Sequence, residues 1–285
     1  MNANANIENR VIKTTAVSFL STGLSIIIQL ISVPICLRYW GKTMYGTWLA
    51  ISAAFTMLRT IDGGYTSYIG NELNILYHKD QDYMKKIMAS GVWGVAAIGL
   101  FQLLIVLFLY YFQSMGVLIG NTAGTTLTAK NAGLSLLIMI VTWTFVCSYT
   151  GILHRFLIPV GMLYQLLWWM LFLQLAQSFA LILAAYMQVN VIMAAIFFAV
   201  SQAIVYLSSA IYIRCKLPKI YPWLKNTDMK IGLKEIFNSI PMTINGFVQQ
   251  IGNSGLVVLI SAILGAAMVP IYSTMRTLSN LWTTC

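Results

Sequence analysis

The chain has 285 residues, of which 59% are hydrophobic and 8% charged, and its net charge is +10. A soluble domain carries about 25% charged residues, so the composition excludes a water-soluble globular protein and requires lipid as the solvent. The basic residues lie mostly between apolar runs and no RNA- or DNA-binding motif accompanies them, so they are read as membrane orientation and contact with anionic lipid headgroups, and nucleic acid is excluded as a partner.

Eight apolar runs follow one another. The polar stretch 1–9 precedes a run over 15–37 that is too long for the apolar core of a cleaved leader, so it is expected to stay as a membrane helix. The later runs cover 45–70, 87–112, 132–153, 163–186, 191–214, 236–264 and 267–285. The first seven meet the requirement of about 20 residues to cross a bilayer. The eighth reaches Cys285 with no polar anchor and no capping residue at Thr284, which gives the expectation of a chain truncated at its C-terminus. Cys36, Cys147, Cys215, Cys285, His78 and His154 share no metal-ligand spacing, so neither a structural metal nor a cofactor is expected.

Lysine and arginine set the orientation. With a cytoplasmic N-terminus, twelve basic residues fall on inner segments (Arg10, Lys13, Lys79, Lys85, Lys86, Arg155, Arg214, Lys216, Lys219, Lys225, Lys230 and Lys234), against Arg38, Lys42 and Lys130 outside. The charged stretch 71–86 reads as a continuation of the second helix that turns back. The basic stretch 215–235, with Pro218 and Pro222, reads as a cytoplasmic linker between a six-helix lobe (1–214) and the first two helices of a second lobe (236–285). Its amphipathic end, 231–237, is expected to lie along the membrane interface.

A displacement of 224 residues lays the first two runs over the last two. Gly41 then meets Gly265, each after a long apolar helix and before an aromatic: Tyr45 and Trp48 in one copy, Tyr272 in the other. An offset of six helices keeps both copies in one orientation, as in transporters built from parallel repeats.

The run Arg38-Tyr39-Trp40-Gly41-Lys42-Thr43-Met44-Tyr45-Gly46-Thr47-Trp48 resembles the first-hairpin signature of bacterial polysaccharide exporters, Gly-x-x-x-Tyr-Gly-x-Trp. In those exporters an Asp-x-Gly and then an Asn follow; here Asp62-Gly63-Gly64 sets the two glycines together, and Asn71 comes after them. Lipid-linked oligosaccharide flippases, O-antigen flippases among them, share this pattern and belong to the multidrug/oligosaccharidyl-lipid/polysaccharide superfamily. The resemblance covers the whole chain in span layout, and its motif support lies between Arg38 and Asn71. It implies an all-α, polytopic, non-enzymatic transporter of two lobes (MATE-like), with about eight transmembrane helices in this chain. The implied activity is to move undecaprenyl-diphosphate-linked repeat units of O-antigen, or another surface polysaccharide, across the bacterial inner membrane by alternating access. The implied partners are that lipid-linked oligosaccharide, membrane lipids, a polysaccharide polymerase and a chain-length regulator.

Arg59 and Arg276 lie within spans two and eight. A mid-helix arginine costs about 3 kcal/mol on insertion scales, which favours a position facing a wet cavity. The planar guanidinium suits a diphosphate, and repeat-related spans would set the two arginines across from each other. For Arg59 the alternatives are an ion pair with Asp62, one helical turn on, or snorkelling to the interface. Asp62 either balances Arg59 or couples transport to a proton or cation. Arg38 and Lys42, at the outer end of the first hairpin, either receive the emerging diphosphate or are ordinary interfacial residues. Gly41, Gly46, Gly63 and Gly64 are expected at turns and close packing. Two other functions compete. A multidrug or organic-cation exporter of the same fold needs buried carboxylates, and the apolar runs hold one, Asp62, beside an arginine. A membrane-bound polysaccharide polymerase or glycosyltransferase needs a large outer loop or paired acids and histidines, whereas the longest outer loop runs over 113–130 and no catalytic constellation is visible.

Overall fold

The structure, a computed structural model, describes residues 3–112, 116, 126–218 and 227–284; they are helical almost throughout, with no strand among the described residues. The first two apolar runs form one element, α1 (Ala3–Leu76), of 74 residues, interrupted only at Gly41, where φ is 72° and ψ is 175°. As a straight rod it would measure about 110 Å, more than twice a bilayer with its headgroups. It folds back at Gly41. Lys13, in the first arm, lies 5.9 Å from the centroid of the Tyr164 ring, and Tyr39 stacks edge-on against Tyr186. The second arm returns to the Tyr164 end, where Arg155 donates to Ser67 and Tyr77 meets Phe156. The expected gap between 37 and 45 is thus a single-residue corner, at a φ that only glycine adopts freely.

Helix α2 (Gln81–Tyr111) is capped by Asp80, whose carboxylate accepts from the amides of Asp82 and Tyr83. Helix α3 (Thr126–Thr142) passes through a π-helical turn, Trp143–Cys147, into α4 (Ser148–Phe156). Then come α5 (Leu163–Tyr186), α6 (Val191–Lys216) and α7 (Met229–Gln250), which crosses a second π turn, Ile251–Gly255, into α8 (Leu256–Leu264). A short 3₁₀ turn at Ala266–Met268 leads to α9 (Val269–Thr284).

Among the described residues, six helices are long and apolar enough to cross a membrane: Val11–Leu76, Gln81–Tyr111, Ala129–Phe156, Leu163–Tyr186, Val191–Lys216 and Met229–Leu264. The count falls short of the eight apolar runs for two physical reasons. One helix holds the first two runs, and α9, at 16 residues, spans about 24 Å where the hydrocarbon core needs about 30 Å. An apolar core is present, but polar residues are buried within it and many large apolar ones face outward. Gln102, Ser135, Gln202 and Ser209 are fully buried, while Leu104, Phe108 and Phe179 are exposed, as expected where lipid is the solvent.

The stretch 231–237 is not a separate interfacial segment. It is the beginning of α7, with Gly232 and Glu235 buried and Leu233 and Phe237 exposed. A Cβ added at Gly232 would sit 3.0 Å from the Ser90 carbonyl, and Ser90 also accepts from the Asp228 amide, so this end of α7 is fastened to α2. Residues 219–226 of the linker, and 113–115 and 117–125 of the outer loop, lie outside the described residues.

The end at Gly41 is joined differently. Gly265 repeats the Gly41 corner, with φ 85° and ψ 157°, and the chain just beyond it packs against the first corner. A Cβ at Gly46 would lie 1.7 Å from the Ala266 carbonyl oxygen, so the two corners meet backbone to backbone. Gly64 gives a similar approach to Thr243 of α7.

Candidate functional site

A cavity of about 390 Å³ opens between the second arm of α1, the π turn and α4, α5 and α6. Its polar wall includes Arg59, Asp62, Trp143, His154, Arg155 and Tyr206. The π turn decides which side chains of α3–α4 reach it. On an ideal α-helix Arg155, twelve residues after Trp143, would point about 120° away from it. A π turn absorbs one extra residue, about 100° of rotation, and brings Arg155 round to the Trp143 face.

The Arg59 guanidinium carbon lies 4.0 Å from the centroid of the Trp143 ring and 5.6 Å from that of Phe55. Its Nε is buried with no hydrogen-bond partner in the protein. The ion pair weighed as an alternative for Arg59 and Asp62 is not formed within 4.0 Å. Asp62, 2% exposed, instead accepts a 3.0 Å hydrogen bond on Oδ2 from Trp143 Nε1, and its Oδ1 has no protein partner. The indole N–H takes the carboxylate while the indole face takes the guanidinium, so Trp143 contacts both charged groups.

Arg155 donates to Ser67 Oγ at 2.8 Å, and its stem lies against Gly70, where an added Cβ would sit 3.1 Å away. Beside it His154 is 4% exposed. Ser209 Oγ gives its proton to the Tyr206 carbonyl and therefore has only lone pairs left for His154 Nε2, 2.9 Å away. With the Ser209 hydroxyl so oriented, Nε2 is the nitrogen that donates to it, and Nδ1 is buried without a protein partner.

Arg276 does not line this cavity. It donates to the carbonyl and to the side-chain oxygen of Asn253, in the second π turn, where the widened helix frees a carbonyl. Arg38 lies 5.9 Å from the centroid of the Tyr39 ring, beside an apolar cleft that includes Phe179 and Tyr186, and Lys42 is exposed at the corner. The glycine-tyrosine motif divides in two. Gly41, Tyr45, Gly46 and Trp48 build the corner, with Tyr45 and Trp48 buried and Trp48 edge-on to Phe198 of α6. Asp62 and Gly63 border the cavity, and a Cβ at Gly63 would meet nothing within 4 Å. Asn71 is exposed and points its amide at Met242 Sδ, 3.9 Å away.

His154, Arg155, Trp143 and Tyr206 are among the cavity residues that sequence reasoning did not assign. Arg155 reads as a loop cation at a span end, and a π turn has no sequence signature of its own. In comparisons with known proteins, no family model matches the chain and no curated protein or solved structure is found to be similar.

Proposed function

We propose that this protein is a lipid-linked oligosaccharide flippase, moving undecaprenyl-diphosphate-linked repeat units of a surface polysaccharide from the cytoplasmic to the periplasmic leaflet of the bacterial inner membrane. In this reading the N-terminus is cytoplasmic. The two arms of α1, then α2, α3–α4, α5, α6 and α7–α8, make seven crossings and α9 begins an eighth; six belong to a first lobe and the last two begin a repeat of it.

The observation that carries the reading is a cavity, walled by helices long and apolar enough to cross a membrane, with two arginines, Arg59 and Arg155, neither within 4.0 Å of a carboxylate among the described residues. A diphosphate is the part of such a substrate that lipid rejects, and a guanidinium can offer it two parallel N–H donors. Arg155 is level with Ser67, eight residues along the helix from Arg59, or about 12 Å. That spacing suits capture at the inner end, followed by passage to the deeper arginine. The volume is in the range of small-ligand sites, enough for a charged head group, so the sugars would extend beyond this lobe. The shared backbone corner at Gly41 and Gly265 supports the repeat.

An organic-cation exporter is less well supported. The one carboxylate on the cavity, Asp62, is engaged by Trp143 and flanked by arginine, and Glu235, the other buried acid among the described residues, does not line it. A polymerase or glycosyltransferase would need more acids than this one on the cavity wall. Deleting the chromosomal gene and following lipid-linked repeat units tests the proposal. Their accumulation in the cytoplasmic leaflet is the expected result, and normal surface polysaccharide in the deletion strain would refute it.

A further inference from the structure

We propose that Asp62 is a positioning residue for Arg59 and acts through Trp143; the ligand part of this inference rests on reading the cavity as an anion site. Trp143 is 5% exposed and has a single hydrogen-bonding group, Nε1–H, which Asp62 Oδ2 accepts at 3.0 Å. Its ring is wedged edge-to-face between Phe55, with centroids 6.2 Å apart and planes at 86°, and Tyr206, at 5.6 Å and 88°. Two aromatic neighbours fix where the indole sits, and the hydrogen bond fixes how it is turned. The face so presented holds the Arg59 guanidinium 4.0 Å from the ring centroid. Stacking occupies the π surface of Arg59 and, with Nε buried, leaves the N–H donors of its two terminal nitrogens for the cavity.

This assignment differs from both roles the sequence suggests for Asp62. A local ion pair with Arg59 needs contact within 4.0 Å, which is not made. A coupling carboxylate would need its ability to bind and release a cation or proton, whereas a positioning residue needs only an acceptor oxygen facing Nε1–H. The two requirements separate cleanly in one substitution. Asp62→Asn keeps an acceptor and loses the charge; Asp62→Leu loses both.

The test uses the 285-residue chain in lipid nanodiscs, with tryptophan indole nitrogens labelled for NMR and inorganic pyrophosphate as the anion probe. Trp143→Phe identifies the Trp143 signal by its disappearance. In Asp62→Asn the signal should stay near its hydrogen-bonded position, and pyrophosphate affinity should remain close to wild type. In Asp62→Leu the signal should move, and affinity should fall about tenfold, the scale of one lost hydrogen bond. Trp143→Phe, which keeps a ring for Arg59 but removes the N–H, should weaken binding similarly, and adding Asp62→Leu to it should cost nothing more. Equal loss in Asp62→Asn and Asp62→Leu would overturn the inference in favour of a charge requirement. If wild type does not bind pyrophosphate, the anion-site reading fails by itself. The indole signal still decides the positioning role, which an unmoved signal in Asp62→Leu would overturn.

Discussion

Replacing Gly46 by alanine probes the joint between the two glycine corners. The added Cβ would stand 1.7 Å from the Ala266 carbonyl oxygen and 2.6 Å from its carbon, where ordinary contact begins near 3.4 Å. The obstruction is backbone, so no rotamer change relieves it, and one helix must retreat by about 1.7 Å. Overpacking of this kind costs typically about 1–3 kcal/mol, and the size of the required retreat puts Gly46 at the upper end. Alanine returns about 1 kcal/mol through better helix propensity, leaving a net loss of about 2 kcal/mol. Gly63→Ala supplies the control, because its Cβ meets nothing within 4 Å and only the propensity gain remains. Thermal melting of the detergent-solubilised chain, followed by size-exclusion chromatography, reads both. Gly46→Ala should melt several degrees below wild type and Gly63→Ala at or slightly above it. A Gly46→Ala protein as stable as Gly63→Ala would refute the backbone-to-backbone joint.

Other outcomes follow from the same geometry. Arg59→Ala and Arg155→Ala should each reduce polysaccharide export at unchanged protein level in a complementation assay; full export by both variants would remove the cavity from the mechanism. Gly41→Val, at φ 72° and ψ 175°, should lose roughly 1–3 kcal/mol of stability with no steric clash to explain it, and Gly41→Asn should lose about as much, because this backbone region is closed to residues with a Cβ, as judged by melting. Leu100→Asp, on the exposed face of α2, should impair membrane insertion of that helix by about 3 kcal/mol, and Tyr83→Asp in its first turn should not, as measured in a translocon insertion assay.

The helical class and the apolar runs are legible because twenty apolar residues in sequence leave few alternatives in lipid. Gly41 and Gly265 are legible as well, since each ends an apolar run and each adopts a positive φ. The corner at Gly41 is tighter than the pattern implies: Arg38 to Met44 contains enough polar groups to read as a loop, yet helix continues on both sides of one residue. Arg59 and Asp62 stand out by charge, but their relation does not. Spacing of three predicts contact, and only the fold reveals that Trp143, 81 positions from Asp62, takes the carboxylate. Arg155 was hidden for a different reason. Helical periodicity assigns it to the far side from Trp143, and a π turn reverses that assignment without leaving a mark in the residue pattern. Arg276 reads as a free intramembrane cation until the second π turn supplies the Asn253 carbonyl.

Over generations, a chain with this burial pattern is constrained at unusual places. Leu104, Phe108 and Phe179 need only remain apolar toward lipid, so exchanges among large hydrophobic residues there leave little trace on stability. Gln102 donates to the Leu58 carbonyl, and Ser209 serves both Tyr206 and His154, so each is tied to a particular partner. Divergent descendants of this chain should therefore keep these tied polar residues together with buried large ones such as Phe55 and Tyr65, and vary the large apolar residues of the exposed faces.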